Sequence, residues 1–578
     1  MESAAATTSD ARALAAELSA RSDAELARLL VDRAVPPAAP WRDFFDAAEG
    51  LLEAASVDRA VATLPRETLV ALAAAGTGAV PPPLREQLSR LALARADGLV
   101  HRAVAERVSA ARLQHPDAFR LLPAAPPPVP ASPAEAAAAA ERAALSIASL
   151  ADVLLSALTA PPGRTGAGAV TAADRKRYVE SGAVSSADEL DDLLASAAAA
   201  GLAAAGEREW LVTDAGERWL AASTAERWQA VADGFRMSVP AALRTASGGV
   251  LAPGAWDGAY PLTPDWRQQC ALLKRVAARW GLTTPSGAEP EWMAALRAGG
   301  AADAAALAAL LPPEIDRVYL QADLSAIAPG PLAPALDLRL RGMAARESRA
   351  QASTYRFTPE SITVAVGAGE TSDSLRAFLS ELSLTGIPQP LDYLIETTAA
   401  RHGLIRVRAD AASGRTRVET DEPALLDTLA VDQSVRAVGL VRDGDALASR
   451  VARDAVYWTL VDARYPVVAV DADGEPEPVH RRRIAGAAPG AATHERLLEV
   501  LREAREHDSD AAWLGRELDA AVRAKATIVV VAALPDGSTR EFTLEATGLG
   551  GGRLRGRDRG SDTERTLPVS SIVSTRPA

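Results

Sequence analysis

The side chains able to do covalent or metal chemistry are few and scattered. Only three lysines occur, Lys176, Lys274 and Lys525, and none follows a glycine or precedes Ser or Thr. The backbone-and-lysine cradle that a P-loop ATPase builds around phosphates therefore has no counterpart. The six histidines, His101, His115, His402, His480, His494 and His507, show no HExxH spacing, and His494 beside Glu495 lacks a second histidine. With Cys270 as the single cysteine, neither a zinc site nor an internal disulfide is expected. No GxSxG elbow is found, and the glycine-rich stretch TGLGGGRLRG lies between strand-like runs, where a hairpin is expected and a dinucleotide-binding helix is not. The expectation is a binding protein without catalytic residue, metal or cofactor.

Arginine is then the residue type left to carry chemistry, through phosphate contact. Two sets stand out: Arg339, Arg341, Arg346 and Arg349 around a predicted helix and its exit, and Arg553, Arg555, Arg557 and Arg559, which alternate along a predicted strand and so share one face. The second set is the densest local positive patch. A formal net charge of −13 and a pI near 5.2 exclude a chain that coats phosphates over its whole surface, so any nucleic-acid contact is local.

At 578 residues the chain exceeds what one core supports, and several domains are expected. Abundant alanine and few aromatics favour helix over sheet. The reading is a multidomain protein, mainly α with α+β parts. Residues 1–120 form a helical domain in which Trp41, Phe44 and Phe45 mark a packing face. The proline-rich stretch 121–137 is a semi-rigid linker. Residues 138–223 follow the order of a winged helix, with Thr213 or Asp214 as an N-cap near the end. Its second short helix carries Asp188, Glu189, Asp191 and Asp192, so phosphate repels it and a protein-contact role is expected. Arg175, Lys176 and Arg177 precede it. Residues 226–312 hold Trp228, Trp256, Trp266, Trp280 and Trp292 and read as a helical domain with an aromatic core. The longest uncharged small-residue run, Leu193–Gly206, falls short of the roughly 18 residues a membrane span needs, and the start MESAAATTSD is not a signal peptide. A cytoplasmic protein without membrane contact is expected.

Residues 313–410 begin with a strand in DRVYLQADLSAIA, then a helix in LAPALDLRLRGMAA and a strand in ASTYRFTPESI, where Thr358 caps a helix that opens on Pro359. Helices in TSDSLRAFLSELS and PQPLDYLIETTAARHG follow, and LIRVR closes the unit. Tyr355 and Phe357, two apart on one strand, read as core. This succession resembles the N-terminal damage-recognition region of XPB-type DNA helicases over about 95 residues, in its VYLQAD, YRFTP and IPQPLDYLIETTAARHGLIRVR motifs. The resemblance implies a small α/β domain linked to DNA-damage recognition, with no catalytic residue among the motifs.

Residues 411–475 read as an α/β extension, ending in acidic DADGEPEP and basic HRRR, a hinge. Residues 490–578 resemble a WYL-type domain, with a helix and then the strands of a small β-barrel, including a turn at Asp536-Gly537. The Trp-Tyr-Leu triplet of that family falls at Gly552, Arg553 and Leu554, so only the leucine matches. Together these features imply a motorless helicase-associated accessory protein in DNA repair or transcription, partnered by an XPB-type helicase and by DNA through local basic patches. A winged-helix/WYL-like transcriptional regulator and a protein-only scaffold are the alternatives.

Overall fold

The computed structural model describes residues 10–577 apart from 124–125, 350–351, 412, 480–481, 487–493, 506–509 and 535–537. The expected turn at Asp536-Gly537 lies outside the described residues. The chain is a multidomain mixture of helices and sheets.

The N-terminal module consists of α1 (Asp10–Ala20), α2 (Asp23–Asp32), α3 (Phe44–Leu52), α4 (Ala54–Ala62), α5 (Arg66–Ala75), α6 (Pro82–Arg90) and α7 (Arg102–Gln114). Ser22 and Glu25 form a capping box at the start of α2, and Asp43 caps α3, satisfying N–H groups that the first turn leaves unpaired. Phe44 and Phe45 are buried, as helical spacing predicts. Arg33 is buried too, and its guanidinium donates to the carbonyls of Leu91 and Leu51 and to Ser56 Oγ. Burial pushes its pKa down to about 10.

The middle of the chain is built around α8 (Pro133–Thr159), followed by α9 (Ala172–Glu180), α10 (Ala187–Ala199), the hairpin β1 (Ala203–Ala205) and β2 (Trp210–Val212), α11 (Asp214–Trp219) and α12 (Thr224–Ser238). α13 (Trp266–Arg279), α14 (Met293–Ala298) and α15 (Ala304–Ala308) complete it. Ser132 and Glu135 box the start of α8, so the expected linker ends inside a helix. Its preceding residues are tied down as well: Ala131 N–H donates to the Glu289 carbonyl at 2.7 Å. Thr213 is the residue that caps α11. One continuous core runs from α8 to α15, so the stretches expected as two domains share their interior. Gly234 permits this where α12 crosses the end of α10, because a Cβ there would meet Ala200 Cα at 2.6 Å. Among the described residues, α8 is the one helix long and apolar enough to cross a membrane, a stretch the expectation overlooked, and 61% of its most apolar window is buried inside the protein.

A four-stranded sheet follows, ordered β3-β4-β6-β5, from β3 (Tyr319–Leu320), β4 (Ser325–Ala328), β5 (Ala345–Arg349) and β6 (Ser353–Arg356). Helices α16 (Pro334–Arg341), α17 (Pro359–Gly367), α18 (Ser372–Leu382) and α19 (Gln389–Arg401) accompany it. The single strand expected over Asp316–Ala328 is a hairpin, because Asp323 accepts from Ser325 N–H and Oγ and turns the chain. Thr358 caps α17 with Pro359 at its first position. Tyr355 and Phe357 are both core, the former donating from its hydroxyl to Asp337 at 2.6 Å.

The LIRVR strand does not close this unit. As β7 (Ile405–Asp410) it joins a second sheet, ordered β11-β7-β8-β10-β9, with β8 (Arg415–Thr420), β9 (Val441–Asp443), β10 (Ala446–Ser449) and β11 (Val467–Ala469). Its partners β8 and β11 lie later in the chain, so the preceding segment held no signal of them. α20 (Pro423–Val431) and α21 (Arg453–Asp462) cover one face of this sheet around Ile405, Val407, Val418 and Leu447. The basic end of the stretch expected as a hinge runs onto the central module: Arg483 N–H donates to the Leu158 carbonyl, and Ile484, just beyond the stretch, bridges Val212 in parallel. His480 and Arg481 of that stretch lie outside the described residues.

At the C-terminal end, α22 (Glu495–Arg505) and α23 (Asp510–Arg523) return to the N-terminal module. Leu497, Leu501 and Trp513 enter the core of α1 to α3, and Arg502 pairs with Asp23 at 2.8 Å. The strands β12 (Thr527–Ala533), β13 (Thr539–Gly550) and β14 (Arg553–Asp558) follow as expected, while the last expected strand, TERTLPVSSIVST, is two, β15 (Thr563–Pro568) and β16 (Ile572–Pro577). They do not form the expected closed barrel. The ladders run β15-β14-β13-β12-β16, because a short 3₁₀ turn, Val569–Ser571, sends β16 across to the β12 edge. The described sheet is open, and its two edge strands end in prolines, which offer no ladder N–H.

Candidate nucleic-acid interface

β14 alternates strictly, with Leu554, Gly556 and Asp558 buried and Arg553, Arg555 and Arg557 exposed. Its start is fixed by the two-residue turn Gly551-Gly552, both at positive φ, which side chains other than glycine resist. Gly556 is required for a different reason: a Cβ there would lie 2.8 Å from the Glu545 carbonyl. The cross-strand neighbours then decide the charge of the face. Arg553 stands between Gly550 and Pro568, and Arg555 between Gly548 and Thr566, so no carboxylate faces either. Neither has an ion-pair partner among the described residues.

Arg557 lies between Glu545 and Glu564 and pairs with Asp562 at 2.8 Å. Arg559 follows the strand end and meets Glu545 at 3.3 Å. The four arginines therefore divide into two open and two engaged. On the inner side Asp558 accepts from Arg565, the Gly560 N–H and Ser561 Oγ. These hydrogen bonds, that from Arg565 foremost, hold its carboxyl down at about 2 and pin the turn into β15.

The first arginine set meets a different fate. Arg346 Nη2 lies 2.5 Å from both oxygens of Asp152 on α8, and Arg341 Nη1 lies 2.7 Å from Oδ1. Both arginines are under one-fifth exposed, at 19% for Arg341 and 16% for Arg346. Burial alone would lower the Arg346 pKa, but the Asp152 carboxylate outweighs it and holds it above its ordinary value. These two side chains dock the four-stranded sheet onto the central core. Arg339 forms a two-pronged pair with Glu370 at 2.9 and 3.0 Å and lies over the Phe378 ring. Arg349 is on β5, and its side chain lies outside the described residues.

The acidic helix α10 faces inward. Asp192, 2% exposed, receives Arg275 at 2.7 Å and Arg279 at 3.4 Å; Glu189 receives Arg279 at 3.0 Å; Asp191 receives Arg175 at 2.6 Å. Three of its four acids are thus a seat for α13 and α9, while Asp188 is exposed. The tryptophans are interior as well: Trp228, Trp256, Trp266, Trp280 and Trp292 are buried, and each indole N–H donates to a protein oxygen. None offers a face for stacking. Lys176 and Lys274 sit in ion pairs with Glu180 and Asp257, and no group of three metal-ligating side chains occurs among the described residues.

One face was missed. Arg406 and Arg408 on β7 and Arg417 on β8 lie on the side of the second sheet opposite its core, and the alternation in LIRVR and RTRV carried that signal. Arg408 and Arg417 share the Glu419 carboxylate, Arg417 also reaches Asp445 at 3.4 Å, and Arg406 holds Asp421, so three carboxylates offset the three arginines.

The architecture defines a multidomain α+β chain in which one small α/β region is joined to a helical core and an arginine-faced sheet. Residues 318–443 match a protein family described as a helicase conserved C-terminal domain. The match runs from the approach to β3 through the end of β9 and so spans the first sheet and part of the second. No curated protein matches the chain.

Proposed function

We propose that the protein is a non-catalytic, helicase-associated accessory protein of DNA repair or transcription, which binds DNA through the β14 face and a helicase supplied by another chain. The observation that carries this reading is the helicase-related match over 318–443 in a chain whose three lysines belong to no phosphate-binding loop. In this account the region resembles the damage-recognition part of XPB-type helicases, and an XPB-type helicase is the partner. The α8–β2 order is that of a winged helix turned inward, and the last module is WYL-like without its sensing triplet. Arg553 and Arg555 supply the phosphate contacts, and the protein works in the cytoplasm.

A transcriptional regulator fits less well, because α10 would be its reading helix and is occupied by Arg175, Arg275 and Arg279. The protein-only scaffold is supported by one observation, the use of Arg341 and Arg346 in an internal contact. Single-stranded, duplex and forked oligonucleotides titrated with the purified protein over a salt series separate the readings. Salt-dependent binding is expected for the accessory protein, and none at low salt for the scaffold.

A further inference from the structure

The outer edge of the β1–β2 hairpin is held at its Trp210 end by Pro162, whose carbonyl accepts the Trp210 N–H, and is covered at its Val212 end by chain that returns from far along the sequence. Arg483 N–H donates to the Leu158 carbonyl at 2.7 Å, and Ala485 N–H to the Val212 carbonyl at 2.8 Å. Arg482 pairs with Glu217 on α11, and Arg483 with Glu209 beside β2, through Nη1 at 2.7 Å. Ile484 packs at the margin of the central core.

The two sides of this contact differ in how firmly they are built. The receiving side is part of the folded core: Val212 is buried, α11 is capped by Thr213, and the Leu158 carbonyl is one of those that the last turn of α8 leaves unpaired. The covering strap is thin. Arg482 and Arg483 remain about half exposed, at 50% and 54%, so their ion pairs contribute little. Contacts of this kind open at the low end of a protein's local stabilities. Successive side chains of a strand point to opposite faces, and the edge has an acid for each of two consecutive basic residues, with an apolar margin for the next. Backbone acceptors supply affinity and the acids supply selectivity, as in strand addition elsewhere.

We propose that this edge is a strand-addition receptor for an extended segment of a partner protein, two consecutive arginines followed by an aliphatic residue, and that Arg482–Ala485 is its resident competitor. Release of the strap opens the site; the DNA-binding face of β14 takes no part.

The test uses the full chain and a fluorescent peptide carrying Arg-Arg-Ile-Ala between Gly-Ser flanks, read by anisotropy at about 0.15 M salt to screen non-specific attraction. A tethered strap competes at an effective concentration near the millimolar range, so the triple variant R482S/R483S/I484S is expected to bind the peptide at least about tenfold more tightly than the unaltered chain. Adding E209A/E217A to that variant removes the gain, and its unchanged melting temperature shows that the core is intact. A smaller gain, or binding that survives E209A/E217A, overturns the proposal.

Discussion

Arg341 and Arg346 end on the Asp152 carboxylate of another module, whereas Arg553 and Arg555 stand on β14 between glycine, proline and threonine neighbours. The residue type is the same and its density along the chain is similar. What separates the two sets is where the nearest carboxylate lies. For Arg346 it is 194 positions away in sequence, on a helix that reaches it only through tertiary packing. For β14 the flanking strands belong to the same hairpins, so its charge environment is set within a few tens of residues. Local antiparallel order leaves Arg553 and Arg555 without an ion-pair partner among the described residues, while long-range docking consumes Arg341 and Arg346.

The strongest way to break this contrast is to remove Asp152. Asp152→Ala leaves the buried Arg346 without its carboxylate and Arg341 with Asp337 at 3.8 Å, and is expected to cost about 3 kcal/mol, read as a lower urea midpoint with no change in DNA affinity. Asp192→Ala tests the inward use of α10; it leaves Arg279 to Glu189 alone and half-exposed Arg275 to solvent, and about 1–2 kcal/mol is expected in the same measurement.

Acid probes the β14 side. The folded pKa of Asp558, about 2, lies below the value of about 3.9 for an unfolded chain. Its contribution is thus complete above that higher value and is lost as pH falls toward the lower one. Circular dichroism across this window should show a loss of sheet structure in the unaltered protein that is flatter in Asp558→Asn. The smallest effect is expected for Arg339→Ala, about 0–1 kcal/mol for a partly exposed pair with Glu370, with DNA binding untouched.

The parts legible from sequence are those with local causes. The Thr358-Pro359 start of α17, the Thr213 cap and the burial of Tyr355 and Phe357 follow from capping chemistry and strand alternation. The outward alternation of Arg553, Arg555 and Arg557 follows from the same period of two. The illegible parts depend on partners distant in sequence. β7 reads as the closing strand of the first sheet because β8 and β11, which pair with it, come later. The acids of α10 imply a protein contact, but not which one, because Arg275 and Arg279 lie more than 80 positions away. The division of the last strand into β15 and β16 is not legible because the ladder of β16 with β12 is long-range and the 3₁₀ turn before it has no strong sequence signature.

The central claim, that Arg553 and Arg555 are the DNA-contacting pair, is tested most directly by the salt dependence of DNA binding in R553A/R555A beside R341K/R346K. The account predicts that R553A/R555A weakens binding and flattens the slope of log affinity against log salt by nearly two, at about 0.9 for each lost phosphate contact, while R341K/R346K leaves that slope unchanged. An unchanged slope in R553A/R555A, or a flattened one in R341K/R346K, would contradict it.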